Sequence, residues 1–153
     1  MAKTRLVRHA PGAPGLRWLG LGPGLRPSRG LRQLQQLFDQ HTFWACGRTR
    51  RQLRRLLSAS PAVVSLWQDR RLVGFGRASS DGVCRAVLWD VVVAGDLQGL
   101  GLGRQLVEAL LGEPALKGVE RVYLMTTNSA GFYEQLGFVR AGSQELLVME
   151  SRP

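Results

Sequence analysis

Apolar residues recur at helical spacing in Leu31, Leu34, Leu37 and Phe38, and again in Leu53, Leu56 and Leu57 within 50–58. Two amphipathic helices are therefore predicted before residue 60. After Pro61 the period changes. Ala62 to Trp67 reads as a strand, Gln68-Asp69-Arg70 as a turn and Leu72 to Arg77 as a second strand, which together make a hairpin. Arg85 to Val93 is apolar on both faces, as a central strand must be. Leu102, Leu106, Val107, Leu110 and Leu111 form the stripe of a further helix. Val122 to Met125 reads as another buried strand, Ser129 to Gln135 as a short helix and Glu145 to Met149 as a last strand. This order predicts one mixed α/β domain with no internal repeat.

The first 29 residues lack such a pattern. They are basic, rich in Gly and Pro and free of acids. A disordered or loosely packed arm is expected over 1–29, with a short strand around Leu16 to Leu19, ahead of a domain at 30–153. With Ser28 the only serine before the first helix, a transit peptide is a weak reading of this segment.

Composition narrows the class. The chain has 153 residues, of which 44% are hydrophobic and 21% charged, enough to bury one core. No apolar run approaches the ~20 residues of a membrane-spanning helix. Cys46 and Cys84 form neither a short metal-ligand spacing nor a disulfide framework, so a reduced intracellular setting is expected, with no metal. The formal charge is +10 and very uneven: residues 1–60 hold 12 basic side chains and the single acid Asp39, whereas residues 61–153 are nearly balanced. Arginine supplies 19 of the 21 basic residues, Ile is absent and Asn128 is the only Asn, a skew typical of GC-rich coding. Arg48, Arg50, Arg51, Arg54 and Arg55 crowd one helix without acids at i+4. A solvated face, an acidic partner surface or the 3′-phosphate of a nucleotide cofactor would each account for that run.

The densest chemical motif is Gln98-Gly99-Leu100-Gly101-Leu102-Gly103-Arg104, between the central strand and the next helix. A helix N-terminus offers unpaired N–H groups and partial positive charge, and glycines let a ligand approach the backbone. Arg104 adds a charge-assisted donor. The spacing fails the dinucleotide fingerprint, because Arg104 stands three residues after Gly101, and the Walker loop's Gly-Lys-Ser/Thr is missing. A turn that merely closes a strand–helix joint remains the bland reading; Gly20 to Gly24 repeats the spacing with no helix after it.

A second motif follows about thirty residues later, Asn128-x-x-x-Phe132-Tyr133-x-x-x-Gly137-Phe138. Each residue alone has a structural explanation, Asn128 or Ser129 as N-cap and Gly137 as helix stop. Together, the two segments resemble the GCN5-related N-acetyltransferase (GNAT) superfamily over roughly residues 30–150. Gly74 to Gly82 and Trp89 to Val93 resemble its cyanobacterial and plastid branch, which includes serotonin N-acetyltransferases and enzymes acting on protein lysines and N-termini.

The resemblance implies a central, mostly antiparallel, splayed sheet flanked by helices, with acetyl-CoA as cosubstrate. It implies backbone hydrogen bonds from Val91, Val92 and Val93 to the pantetheine, a pyrophosphate cradle from Gln98, Gly99, Leu100, Gly101, Leu102, Gly103 and Arg104, and Asn128 and Phe132 beside the thioester. Tyr133 takes the general-acid position. Acyl transfer needs a neutral amine, a donor for the oxygen that gains charge, and a proton for the leaving thiolate. A tyrosine phenol can supply that proton. Asp90, on an apolar strand, is expected either as the base or as an ion-pair partner of Arg77 or Arg85. His9 and His41 receive no role.

The leading reading is an acetyl-CoA-dependent N-acetyltransferase. Its acceptor is a primary amine: an arylalkylamine such as serotonin, or a protein lysine or N-terminus. A non-catalytic CoA-binding module and an arginine-driven adaptor for nucleic acid or acidic proteins are the alternatives. A monomer or homodimer in the bacterial cytoplasm is expected, with the plastid stroma as the second location, and neither membrane nor specific nucleic acid as partner.

Overall fold

The computed structural model describes residues 3–151. Five strands lie in sequential order: β1 (Thr4–Arg8), β2 (Ala62–Gln68), β3 (Arg71–Ser80), β4 (Arg85–Val93) and β5 (Arg121–Tyr123). The first four pair antiparallel and β5 joins β4 in parallel. Helices α1 (Pro14–Leu19), α2 (Gly30–His41) and α3 (Arg50–Ser58) precede β2, α4 (Leu102–Leu111) links β4 to β5, and α5 (Ala130–Gln135) follows. This is the mixed α/β architecture that the sequence predicts.

Alternation along β3 places helices on both faces of the sheet. Phe75 points to one face and meets Phe38 of α2 edge-on, ring centroids 5.6 Å apart. Gly74 and Gly76 point to the other. A Cβ on Gly76 would lie 2.9 Å from Cδ1 of Leu110, and one on Gly74 3.2 Å from Cδ1 of Leu106, so these glycines let α4 settle against the strand backbone. Helix α3 begins with a capping box: the Thr49 hydroxyl accepts from the Gln52 amide, and the Gln52 side chain accepts from the Thr49 amide.

Two expectations fail. The supposed loose arm is packed, and its residues from Thr4 onward are ordered elements. Thr4–Arg8 is an edge strand in register with β2, and Leu16, placed in a short strand by the sequence, lies fully buried in helix α1. Pro14 at the start and left-handed Gly20 at the end delimit that helix. Six residues are too few to show a 3.6 period, and the arginines of an edge strand mask its alternation. Residues 1 and 2 lie outside the described part. Conversely, Glu145 to Met149 is no strand: the segment is irregular, with Leu147 86% and Met149 98% exposed. β5 stops at Tyr123, short of the predicted Met125, and the apolar run at 146–149 pairs with no strand among the described residues.

The two histidines are structural. His9 Nε2 lies 2.7 Å from Ser65 Oγ, and burial lowers its pKa to about 4, leaving it neutral near pH 7. His41 Nδ1 accepts from the Gly95 amide at 3.1 Å, holding the loop after β4.

Candidate active site

Two irregularities of β4 create the site. Its pairing with β5 covers only Arg85 to Val87; beyond that the strands part, leaving one edge of β4 open. On the other edge, Phe75 faces Val92 and Arg77 faces Trp89, so Asp90 and Val91 both stand opposite Gly76. This is a β-bulge, and Asp90 carries φ +54° within it. Left-handed backbone costs a non-glycine residue roughly 1–2 kcal/mol, with Asp among the more tolerant types. The bulge turns Asp90 into the protein while the next residues line the open edge.

That edge forms one wall of a groove of about 460 Å³. Val91, Val92, Val93, Gln98, Gly99, Gly101, Leu102, Gly103 and Arg104 border it, and α5 contributes Phe132 and Tyr133. Leu100 is the exposed tip of the glycine turn and does not border the groove; Asn128 borders the neighbouring cavity instead. Gly99 and Gly101 both have φ +82°. Gly101 is the N-cap of α4 and supplies no side-chain cap, so the first-turn N–H groups face outward. Gly103 permits close packing, since a Cβ there would lie 3.2 Å from Cζ of Phe132. Arg104 is turned along the helix, its Nε donating to Glu108 Oε1 at 2.8 Å. The side chain of Gln98 donates to the Val93 carbonyl at 3.3 Å.

A second cavity, about 390 Å³, opens on the other side of Tyr133. Phe43, Trp44, Trp89 and Leu88 give it aromatic and apolar walls, with Met125, Asn128 and Leu146 opposite. Phe43 and Trp44 stand edge to face at 5.2 Å. At its base Asp90, its side chain 4% exposed, is clamped from three directions. Oδ2 accepts from Arg77 Nε at 2.7 Å and from Arg48 Nη1 at 3.2 Å, while Oδ1 accepts from Trp44 Nε1 at 3.1 Å. Of the two partners expected from the sequence, Arg77 is used, whereas Arg85 pairs with Glu120 at 3.3 Å. Trp44 escaped the sequence reading, and Arg48 entered it only within the arginine run; nothing local ties residues 44 and 48 to 90.

Tyr133 borders both cavities. Phe132 and Phe138 pack edge-on against its ring at 4.9 and 5.8 Å. Burial raises its phenol above the ordinary tyrosine pKa. The arginines of α3 do not border the groove. Among the described residues no cluster of three or more His, Cys, Asp or Glu is placed to hold a metal, and no helix is long and apolar enough to cross a membrane.

Residues 31–138 match the acetyltransferase (GNAT) family. The chain belongs to that family. Its relatives include Serotonin N-acetyltransferase 2, chloroplastic, of Oryza sativa subsp. japonica, 41% identical over 104 residues that make up 63% of this chain and 52% of the rice protein. The uncharacterized N-acetyltransferase ycf52 of Pyropia yezoensis is 34% identical over 72% of this chain and 65% of its own length. The chain thus spans between about half and two thirds of these two relatives. Among solved structures, the GNAT family acetyltransferase SP0256 of Streptococcus pneumoniae TIGR4 superposes with a TM-score of 0.72 at 20% identity, over 99% of this chain and 100% of that one. Glucosamine-6-phosphate N-acetyltransferase of Arabidopsis thaliana gives 0.61 at 16% identity, over 97% and 99%. These structures share the fold. The family uses acetyl-CoA as cosubstrate and an amine as acceptor.

Proposed function

We propose that this GNAT protein transfers acetyl from acetyl-CoA to a primary amine bearing an aromatic ring. One observation carries the reading: Tyr133 borders both the glycine-lined groove and the aromatic cavity. The groove suits the cosubstrate. Its turn carries two left-handed glycines with no atom near their missing Cβ positions, and the uncapped start of α4 presents amides suited to a diphosphate. When bound, acetyl-CoA supplies an activated thioester.

The chain's own residues then divide the work. The open edge of β4 at Val91 to Val93 holds the pantetheine by backbone hydrogen bonds, and a backbone N–H there stabilises the oxygen that gains charge. As the C–N bond forms and the C–S bond breaks, the Tyr133 phenol, kept protonated by burial, delivers a proton to the departing sulfur. The proton shed by the amine nitrogen to solvent balances the reprotonation of the phenol. Asp90 acts as an anchor: both of its oxygens already accept hydrogen bonds, and through them it orients Trp44 and Arg48 beside the acceptor cavity. Trp44, Phe43 and Trp89 offer flat apolar surfaces for an aromatic acceptor. The rice relative is named as a serotonin N-acetyltransferase, which supports the same acceptor class. Its chloroplastic name favours the plastid stroma over the cytoplasm as the location.

Mass spectrometry of the protein incubated with acetyl-CoA, serotonin, tryptamine, lysine peptides and N-terminal peptides tests the proposal. Preferential acetylation of the indole amines is expected. Acetylation of peptides alone would overturn the acceptor class, and no product at all would overturn the activity.

A further inference from the structure

Helices α1, α2 and α3 meet around a concavity of about 320 Å³ that shares no lining residue with either cavity of the candidate active site. We propose that it is a binding site for a small polyphosphate anion, of which inorganic pyrophosphate is the simplest. Arg17, Arg29, Arg32, Arg50 and Arg54 line it, and no acidic residue does. None of the five forms an ion pair among the described residues, although five other arginines do. The buried Nε of Arg17 has no hydrogen-bond partner, a donor left for an acceptor that the chain does not supply. Arg17 also lies over the Trp18 ring at 5.3 Å, and Trp18 is 66% exposed at the rim.

Charge density decides the occupant. Guanidinium groups repel one another, and their planar forks match phosphate oxygens two at a time. A pyrophosphate brings several negative charges into one compact group. An acidic peptide brings one charge per residue, spread at about 3.3 Å per residue along an extended chain, and would neutralise five converging cations less completely.

Isothermal titration of the full chain with pyrophosphate at fixed ionic strength tests the site, with orthophosphate and a hexaglutamate peptide as comparison probes. Saturable pyrophosphate binding is expected, at least tenfold weaker in Arg50→Gln/Arg54→Gln and equally weakened in Arg29→Gln/Arg32→Gln on the opposite wall. Arg29 and Arg32 are exposed, so their replacement should leave the melting temperature unchanged. Arg54 is part-buried and donates to the Arg17 carbonyl at 3.3 Å, so the α2 pair is the variant that separates lost binding from lost folding. Absence of binding, undiminished binding in both double variants, or tighter binding of hexaglutamate would overturn the proposal. Because the readout is the loss of binding on changing residues that do not border the groove, it is independent of whether the protein acetylates any amine.

Discussion

The two cavities that meet at Tyr133 are built by different means. The groove is backbone: left-handed Gly99 and Gly101, the open edge of β4 and the uncapped start of α4. Its residues lie within two short stretches, Val91 to Arg104 and Ser129 to Leu136. The aromatic cavity is made of side chains, drawn from the α2–α3 connection, from β4 and from the segment before α5. Under the proposed function, the groove would serve the cosubstrate through backbone geometry alone. Selecting an acceptor would rest on the cavity's side chains, two of which, Trp44 and Asp90, belong to a buried charge cluster.

The largest effect should come from breaking that cluster. Arg77→Ala leaves the Asp90 carboxylate without its shortest contact and with Arg48 and Trp44 still bound, so the loss should approach but not exceed the roughly 3–5 kcal/mol of a fully broken buried pair. Urea denaturation should show the loss, and an unchanged midpoint would mean that the clamp does not support the cavity. Tyr133→Phe comes next. Removing a general acid lowers turnover by about a hundredfold or more, while acetyl-CoA affinity measured by titration should stay the same. Equal losses in both would make Tyr133 a packing residue.

The pH profile sharpens the same assignment. Burial shifts the Tyr133 phenol upward, so the proposed proton donor stays protonated and neutral through the neutral range. The rate should therefore climb as the acceptor amine loses its proton, with no downturn from Tyr133 below pH about 10, the ordinary phenol value. A descending limb near neutrality would point to another acid.

Smaller effects should separate the cavities cleanly. Trp44→Ala is expected to raise KM for an aromatic amine by about tenfold, the scale of a lost aromatic contact, with KM for acetyl-CoA unchanged. Gly101→Ala should do the reverse. Its φ of +82° disfavours a side chain, so a stability loss of about 1 kcal/mol and a raised KM for acetyl-CoA are expected. If either variant changed both constants alike, the division between backbone groove and side-chain cavity would fail.

The contrast also explains what could be read in advance. Gln98 to Arg104 announces itself because a strand, a glycine turn and an amphipathic helix are consecutive, and each depends on near neighbours. The capped helix α3 and the β2–β3 hairpin were legible for the same reason. Arg104 shows the limit: its place at the helix start was evident, but its pairing with Glu108 rather than with a ligand was not. β1 and α1 were missed because short elements carry too few periods, and 145–149 was misread because a short apolar run says nothing about whether a ladder partner is within reach.

By itself, the sequence determined the order of elements from α2 to α5 and the open glycine turn ahead of α4. These follow from local forces: φ preferences, terminal amides and the period of apolar side chains. Tertiary structure alone decided that Trp44, Arg48 and Arg77 converge on Asp90, that a bulge opposite Gly76 turns Asp90 inward, and that Tyr133 stands between two cavities. Those contacts join residues from 13 to 46 positions apart, and only burial against a shared core brings such distant groups within hydrogen-bonding range.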